Sequence, residues 1–238
     1  MIRNIILLQV KNDAKSIVRD PFLRYITPIP IFLSLGFITF QTKMIQILND
    51  VNINYFDYSD LIVSFLFLTL CPTMFGIVYG YIFLDYKDEN IFEALSVTPV
   101  GNGTLLIMKL IIPYILSILV TGLSLFIINS EIPLELLILV TILSGLNAPF
   151  YALLLAVFAK NKIQGMALQK ISGILMIFPI ISYFVKDSFV ILLGIDPLFW
   201  NFQAYWKIAI DYNSVILYSI IGIAYYLLII RIFLRNLM

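Results

Sequence analysis

Six long apolar stretches constrain the fold of this chain more than any other feature. They cover residues 23–40, 61–84, 105–128, 136–159, 165–185 and 214–233. A helix needs about 20 mostly apolar residues to cross a membrane, and these stretches are close to that length. The sequence therefore predicts an all-α integral membrane protein, in which residues 1–238 form a single transmembrane domain of six helices.

Composition excludes a water-soluble domain, because 61% of the residues are hydrophobic, only 12% are charged and the mean hydropathy is +1.01. The net charge of +1 gives no field that favours nucleic acid or an anionic substrate. The chain has no histidine, its one cysteine is Cys71, and it lacks a Gly-rich loop ending in Lys-Ser or Lys-Thr. These absences argue against Ser–His catalysis, metal clusters, disulfides and a nucleotide site. We therefore expect no enzyme activity, metal or cofactor in this chain.

Basic residues predict the orientation, since lysine and arginine resist translocation. Six spans put both termini on one face, which we expect to be cytoplasmic in a multi-pass protein of the cell membrane. Counting Lys109 and Lys170 as side chains that snorkel to that face, twelve basic residues lie there: Arg3, Lys11, Lys15, Arg19, Arg24, Lys87, Lys109, Lys160, Lys162, Lys170, Arg231 and Arg235. Three lie on the other face: Lys43, Lys186 and Lys207.

The N-terminal segment, residues 1–22, is predicted to form an elbow helix before the first span. Apolar residues such as Ile5 and Leu8 are mixed there with Lys11 and Lys15. A helix of this composition can lie along the interface with its basic face toward lipid phosphates. The alternative is an ordinary juxtamembrane tail.

Residues 186–213 are predicted to re-enter the membrane from the external face. Their apolar stretch, residues 189–195, is too short to cross a bilayer and too apolar for a solvated loop. It is followed by four aromatic residues of the kind that concentrates at the headgroup level, Trp200, Phe202, Tyr205 and Trp206. The alternative is a surface helix that these rings anchor.

A charged insert, residues 85–104, separates the second and third stretches. On a helical projection, Phe92 and Leu95 lie on an apolar arc, whereas Glu89 lies on a charged one. Pro99 ends the pattern. The insert therefore predicts a short amphipathic helix across the membrane face. A solvated connector is the alternative, but it does not explain the apolar arc.

The segment ENIFEALSVTPV at residues 89–100, with Lys109 shortly after it, resembles the permease subunits of ABC-2 type exporters. The order of elbow, six spans, charged insert and re-entrant segment resembles that family over nearly the whole chain. The resemblance implies that the insert is a coupling helix that docks into a groove of a separate ATP-binding subunit. It implies coupling roles for Glu89, Ile91, Phe92, Glu93, Leu95, Ser96, Thr98 and Pro99.

The resemblance also implies an assembly of two permeases and two ATPases, in which the ATPases bind ATP and Mg. Two features depart from the family pattern. Met108 stands where the family often has glycine before the lysine, and only residues 41–60 are available between the first two spans for an external domain. A compact exporter without such a domain is the form implied.

The resemblance further implies that the second and fifth spans line the translocation pathway, and that the dimer contact lies near the first and fifth. The candidate lining residues are Thr69, Thr73, Tyr79, Gln169, Lys170 and Met176. Polar groups in spans usually face protein or a water-filled cavity, so helix packing is the alternative for each of them. Lys170 has the best claim, although it lies near enough to the span end to snorkel.

The function expected is that of a permease that moves a hydrophobic or amphipathic substrate, such as a drug, peptide or lipid. Its expected partners are an ABC ATPase, a second permease copy or paralogue and membrane lipid, but no nucleic acid. A non-transporting membrane scaffold or assembly factor is the alternative, since hydropathy and topology alone are the same for both.

Overall fold

A computed structural model describes residues 2–51, 53–89, 91, 101–128, 132–185 and 188–237. The secondary structure of these residues is helical, with no strand among them. The helices are α1 (Ile2–Arg19), α2 (Pro21–Ile26), α3 (Ile29–Asp50), α4 (Ser59–Val63), α5 (Cys71–Asp88), α6 (Gly101–Ile128), α7 (Leu134–Gly145), α8 (Asn147–Phe158), α9 (Lys162–Ser172), α10 (Ile177–Phe184), α11 (Pro197–Trp206) and α12 (Tyr212–Leu237). A π-helical segment, Ser64–Leu70, joins α4 to α5, and a 3₁₀ turn, Gly173–Met176, joins α9 to α10.

Six spans are long and apolar enough to cross a membrane, which confirms the prediction of an all-α, multi-pass membrane protein. In chain order they are Pro21–Asp50, Ser59–Asp88, Leu106–Ile128, Leu134–Phe158, Lys162–Phe184 and Tyr212–Leu237. Each overlaps one predicted stretch. The first span is longer than residues 23–40, because hydropathy follows the apolar part of a helix and α3 continues through polar residues to Asp50.

Prolines account for the breaks within four of the spans, since a proline has no N–H to donate to the preceding turn. In the first span α2 ends before Pro28, and in the second the π-helical segment leads directly to Pro72. The fourth span is interrupted at Leu146, ahead of Pro149, and the fifth is interrupted ahead of Pro179. The regular α-helix is therefore interrupted at a defined position in each of these four spans.

The second and fourth spans form the centre of the molecule. Their most apolar windows are 67% and 83% buried, whereas those of the other four spans are 22% or 28% buried. Two glycines let these spans approach closely: a Cβ at Gly76 would lie 2.5 Å from the Ala148 carbonyl oxygen, and one at Gly80 would lie 2.6 Å from Leu155 Cδ1. The peripheral spans pack around this pair.

The alternation of the spans gives the bundle two ends. We call the end with α1, the C-terminus of α5 and the N-terminus of α9 the terminal face. The opposite face carries the C-terminus of α3, the N-terminus of α4, the C-terminus of α10 and the N-terminus of α12.

Residues 188–206 form a helical hairpin that begins after α10 and returns before α12. A 3₁₀ segment, Ser188–Ile195, leads inward, and α11 leads back. The tip packs near the middle of α12, where the Tyr225 hydroxyl donates to the Ile195 carbonyl oxygen at 2.7 Å. Nearly all of α11 is buried. The hairpin lies within the predicted re-entrant segment 186–213, whose entry into the bilayer stays a prediction.

Candidate functional site: the terminal face, the pathway residues and a cleft on the opposite face

The predicted coupling helix lies mostly outside the described residues. Phe92, Glu93, Leu95, Ser96, Thr98 and Pro99 all fall there, so their coupling roles stay predictions. Glu89 is exposed at the end of α5, and Ile91 is partly buried. The described flanks are α5 before the insert and α6 after it.

Lys87, at the end of α5, forms hydrogen bonds with the end of α8. Its ammonium donates to the Ala156 carbonyl and, at 3.3 Å, to the Ala159 carbonyl. Carbonyls in the last turn of a helix lack partners within the helix, and a lysine satisfies both the hydrogen bonds and the helix dipole. The end of the second span next to the insert is thereby attached to the fourth span.

Lys162 joins three elements at the same face. It forms ion pairs with Asp85 of α5, at 2.7 Å, and with Asp20 before α2. Asp20 also caps α2, where its Oδ1 accepts the backbone N–H groups of Phe22 and Leu23 at 2.8 and 3.2 Å. Burial by itself raises the pKa of Asp20, but the hydrogen bonds from Lys162 and those N–H groups hold the pKa below its ordinary value. The first, second and fifth spans are linked through this one lysine.

A buried ion pair between Asp13 and Lys109 attaches α1 to α6. The two side chains are 2% and 3% exposed, and the Lys109 ammonium also lies 4.3 Å from the centre of the Tyr86 ring. Burial raises the pKa of Asp13, and the charge and hydrogen bond of Lys109 oppose that shift. The prediction that Lys109 snorkels to the surface is therefore wrong, because its charge is satisfied inside the protein. No local signal identifies Asp13 as its partner.

The candidate pathway residues of the second span are buried within the chain. The Asn147 side-chain amide donates to Thr73 Oγ1 at 2.8 Å and to the Thr69 carbonyl oxygen at 3.3 Å. Both threonines are thereby held between the second and fourth spans, and Tyr79 is also buried. These contacts favour the packing alternative for Thr69 and Thr73, and the pathway role of all three stays a prediction.

The candidate pathway residues of the fifth span lie in more open surroundings. Gln169 accepts a hydrogen bond from the Tyr81 hydroxyl at 2.9 Å, which links the fifth span to the second. Lys170 is exposed, and Met176 is partly buried against the core. The exposure of Lys170 fits a side chain that reaches the surface, and the pathway roles of these three residues stay predictions.

A large cleft of ≈ 890 Å³ opens on the opposite face, between the start of the second span, the end of the fifth, α11 and the start of the sixth. Its lining combines aromatic rings, two carboxylates, an amine and an amide: Asp57, Tyr58, Asp60, Ser182, Tyr183, Phe184, Val185, Val190, Ile191, Phe199, Gln203, Trp206, Lys207, Ile210 and Tyr218. Sequence reasoning assigned no substrate contact to any of them, since they come from separate parts of the chain. Only the aromatic enrichment near Trp206 gave a signal.

The aromatic wall of the cleft is held in place by hydrogen bonds. The Trp206 indole N–H donates to Ser64 Oγ at 3.1 Å and to the Asp60 carbonyl oxygen at 3.3 Å. Tyr183 packs against Trp206 with ring centres 5.0 Å apart, and its hydroxyl donates to the Asp57 carbonyl oxygen. Among the described residues, no group of His, Cys, Asp and Glu has the arrangement of a metal site.

Comparison with known proteins identifies an export family. The family model described as Fluoroquinolones export permease protein Rv2686c-like matches residues 13–234. Two relatives from Mycobacterium tuberculosis are each 26% identical to this chain over 240 residues, covering 95% of this chain and 91% of the relative. They are named fluoroquinolones export permease protein MT2760, from strain CDC 1551 / Oshkosh, and Rv2686c, from strain ATCC 25618 / H37Rv. No solved structure matches.

Proposed function

Since this chain belongs to the Rv2686c-like family of fluoroquinolone export permeases, we propose that it is the permease subunit of an ATP-driven ABC-2 type exporter. The match over residues 13–234, which includes almost all of the six spans, is the observation that carries this proposal. ATP and Mg bind to a separate ATPase subunit, and two permeases and two ATPases form the transporter. The substrate is a hydrophobic or amphipathic molecule. Fluoroquinolones are the class to test first, because the two relatives are named for their export.

Coupling in this proposal is mechanical. The ATPases close when they bind ATP, pull on the insert at residues 85–104 and tilt the second and third spans. Such coupling needs a contact whose geometry differs between two states. In the docked insert, Phe92 and Leu95 supply apolar anchors, and Glu89 and Glu93 supply charge pairs at the rim.

The contacts at the terminal face support this coupling, because they join both flanks of the insert to other spans. Lys87 connects the end of α5 to α8, and Lys162 connects it to α2 and α9. Lys109 connects the start of the third span to α1. A displacement of the insert is therefore transmitted through these contacts to most of the helix bundle. With the terminal face in the cytoplasm, as the basic residues favour, the ATPases approach from that side.

Transport by the assembled complex tests the proposal. The permease is coexpressed with a candidate ABC ATPase from the same organism and purified in mild detergent, and the complex is reconstituted into proteoliposomes with the nucleotide sites outward. We expect copurification, ATP hydrolysis and norfloxacin uptake that requires ATP. A complex with an ATPase inactivated in its P-loop is the control. Copurification without ATP-dependent uptake of norfloxacin or of a panel of hydrophobic dyes, peptides and lipids favours the scaffold alternative.

A further inference from the structure

We propose that the cleft on the opposite face is a binding site for a planar aromatic zwitterion, with the substrate amine at Asp60 and Asp57 and the substrate carboxylate at Gln203 and Lys207. The inference rests on the proposed function, because the cleft is taken to bind the molecule that the transporter exports.

The size of the cleft suits a small organic molecule. Pockets for drug-sized ligands are about 300–1,000 Å³, lined by apolar and aromatic side chains with a few polar groups. This cleft has ≈ 890 Å³ and the same mixture. Trp206 and Tyr183 form a wall that is already fixed by hydrogen bonds, so little ordering is needed when a ring packs against it.

The two carboxylates in the cleft lining are suited to a cation. Asp57 and Asp60 both line the cleft, and neither forms an ion pair with a lysine or arginine of the described chain. The Asp57 carboxylate accepts one hydrogen bond from a described residue, the Asn54 amide at 3.1 Å. Tyr58 and Tyr183 lie beside these carboxylates, and aromatic faces attract cations. A protonated amine fits this combination.

Gln203 and Lys207 in the cleft lining are suited to an anion or a carbonyl. Gln203 lines the cleft and is only 9% exposed, and its side-chain amide donates no hydrogen bond to a described residue. An amide N–H in the lining of the cleft can donate to a ligand oxygen. Lys207 follows one turn later on the same side of the cleft and supplies a positive charge. A carboxylate satisfies both groups.

Binding of three related compounds to the purified permease in lipid nanodiscs tests the assignment by equilibrium dialysis. Norfloxacin has an amine and a carboxylate, N-acetylnorfloxacin lacks the basic amine, and decarboxylated norfloxacin lacks the carboxylate. We expect Asp60→Asn to weaken binding of norfloxacin and of the decarboxylated compound about tenfold, which is the effect of one charge-assisted contact. Binding of the acetylated compound should not change. Lys207→Gln should weaken binding of norfloxacin and of the acetylated compound, but not binding of the decarboxylated compound.

Matched controls come from the same face. Asp50→Asn and Lys43→Gln change a carboxylate and an amine that do not line the cleft, and should leave all three affinities unchanged. If Asp60→Asn and Asp50→Asn weaken binding equally, or if a cleft variant weakens binding of all three compounds equally, the cleft is not the binding site. ATP-dependent uptake is measured separately in proteoliposomes. If the three compounds bind selectively but no ATP-dependent uptake is measured, the proposed function is wrong and the binding site stands. If uptake is measured but neither cleft variant changes binding, the exporter function stands and the binding site is wrong.

Discussion

The Asp13–Lys109 pair is the most deeply buried charge pair among the described residues. Its contribution to the free energy of unfolding depends on both side chains being present. Taking two charges out of water is expensive, and the mutual attraction offsets that cost only while both are present. Removing one partner of a buried pair costs about 3–5 kcal/mol, whereas replacing both by neutral groups can be nearly neutral. The pair is therefore suited to a double-mutant cycle.

We expect Lys109→Met alone to lower the thermal unfolding temperature of the purified permease strongly, because it leaves Asp13 charged in an apolar site. The double variant Asp13→Asn with Lys109→Met should recover most of the loss. Lys43→Met, at an exposed position, is the control. Unfolding temperatures in detergent, followed by tryptophan fluorescence, give the comparison. Additive losses in the double variant would show that the two side chains do not stabilise α1 against α6 as a pair.

In the proposed coupling helix, loss of Phe92 and loss of Glu89 should have different effects on transport. A buried aromatic anchor costs about 2 kcal/mol or more when it is truncated, whereas a charge at the rim is worth less. We therefore expect Phe92→Ala to reduce ATP-driven transport more than Glu89→Ala at matched expression. Uptake per unit of hydrolysed ATP is the measurement. Equal or reversed losses would contradict docking through the apolar arc.

At the scale of elements, the hairpin carries a buried carboxylate at its tip. Asp196 is 2% exposed, and its Oδ1 accepts the Leu198 N–H at 3.1 Å, which caps α11. Its Oδ2 has no partner in the part of the chain that the structure describes. Burial raises the pKa of Asp196 to about 7.

The raised pKa predicts a pH dependence of stability. Between the ordinary value of 3.8 and about 7, the folded state keeps a proton that the unfolded state has lost, so stability falls as the pH rises through this window and levels off above it. We expect Asp196→Asn, which keeps the cap, to remove this part of the slope and to raise the unfolding temperature at pH 8. Asp211→Asn, at an exposed cap, is the control. A slope between pH 5 and 7 that is the same in the wild type and in Asp196→Asn would refute the role of this carboxylate.

Sequence predicts the elements of this fold better than the contacts between them. Hydropathy shows whether an apolar stretch is long enough to span lipid, so all six spans were predictable. The partner of Lys109 was not predictable, since it depends on where α1 docks. The cleft escaped prediction for the same reason, because its lining comes from four parts of the chain.

For the whole molecule, the close approach of the second and fourth spans is the central contact, and glycine makes it possible. A Cβ at Gly76 would lie 2.5 Å from the backbone oxygen of Ala148, which cannot move away without shifting the helix. Gly36, in the peripheral first span, has nothing within 4 Å of the same position. The two glycines therefore allow one substitution to be compared in two surroundings.

We expect Gly76→Ala to destabilise the permease by about 1–3 kcal/mol, the usual cost of overpacking. Gly36→Ala should be neutral or slightly stabilising, since alanine favours a helix and meets no neighbour there. Thermal unfolding of both variants in the same detergent measures the difference. Because four peripheral spans pack around the central pair, Gly76→Ala should also weaken transport, even though the residue does not line the cleft. Equal stability of the two variants would mean that the second and fourth spans do not form the tight centre of the bundle.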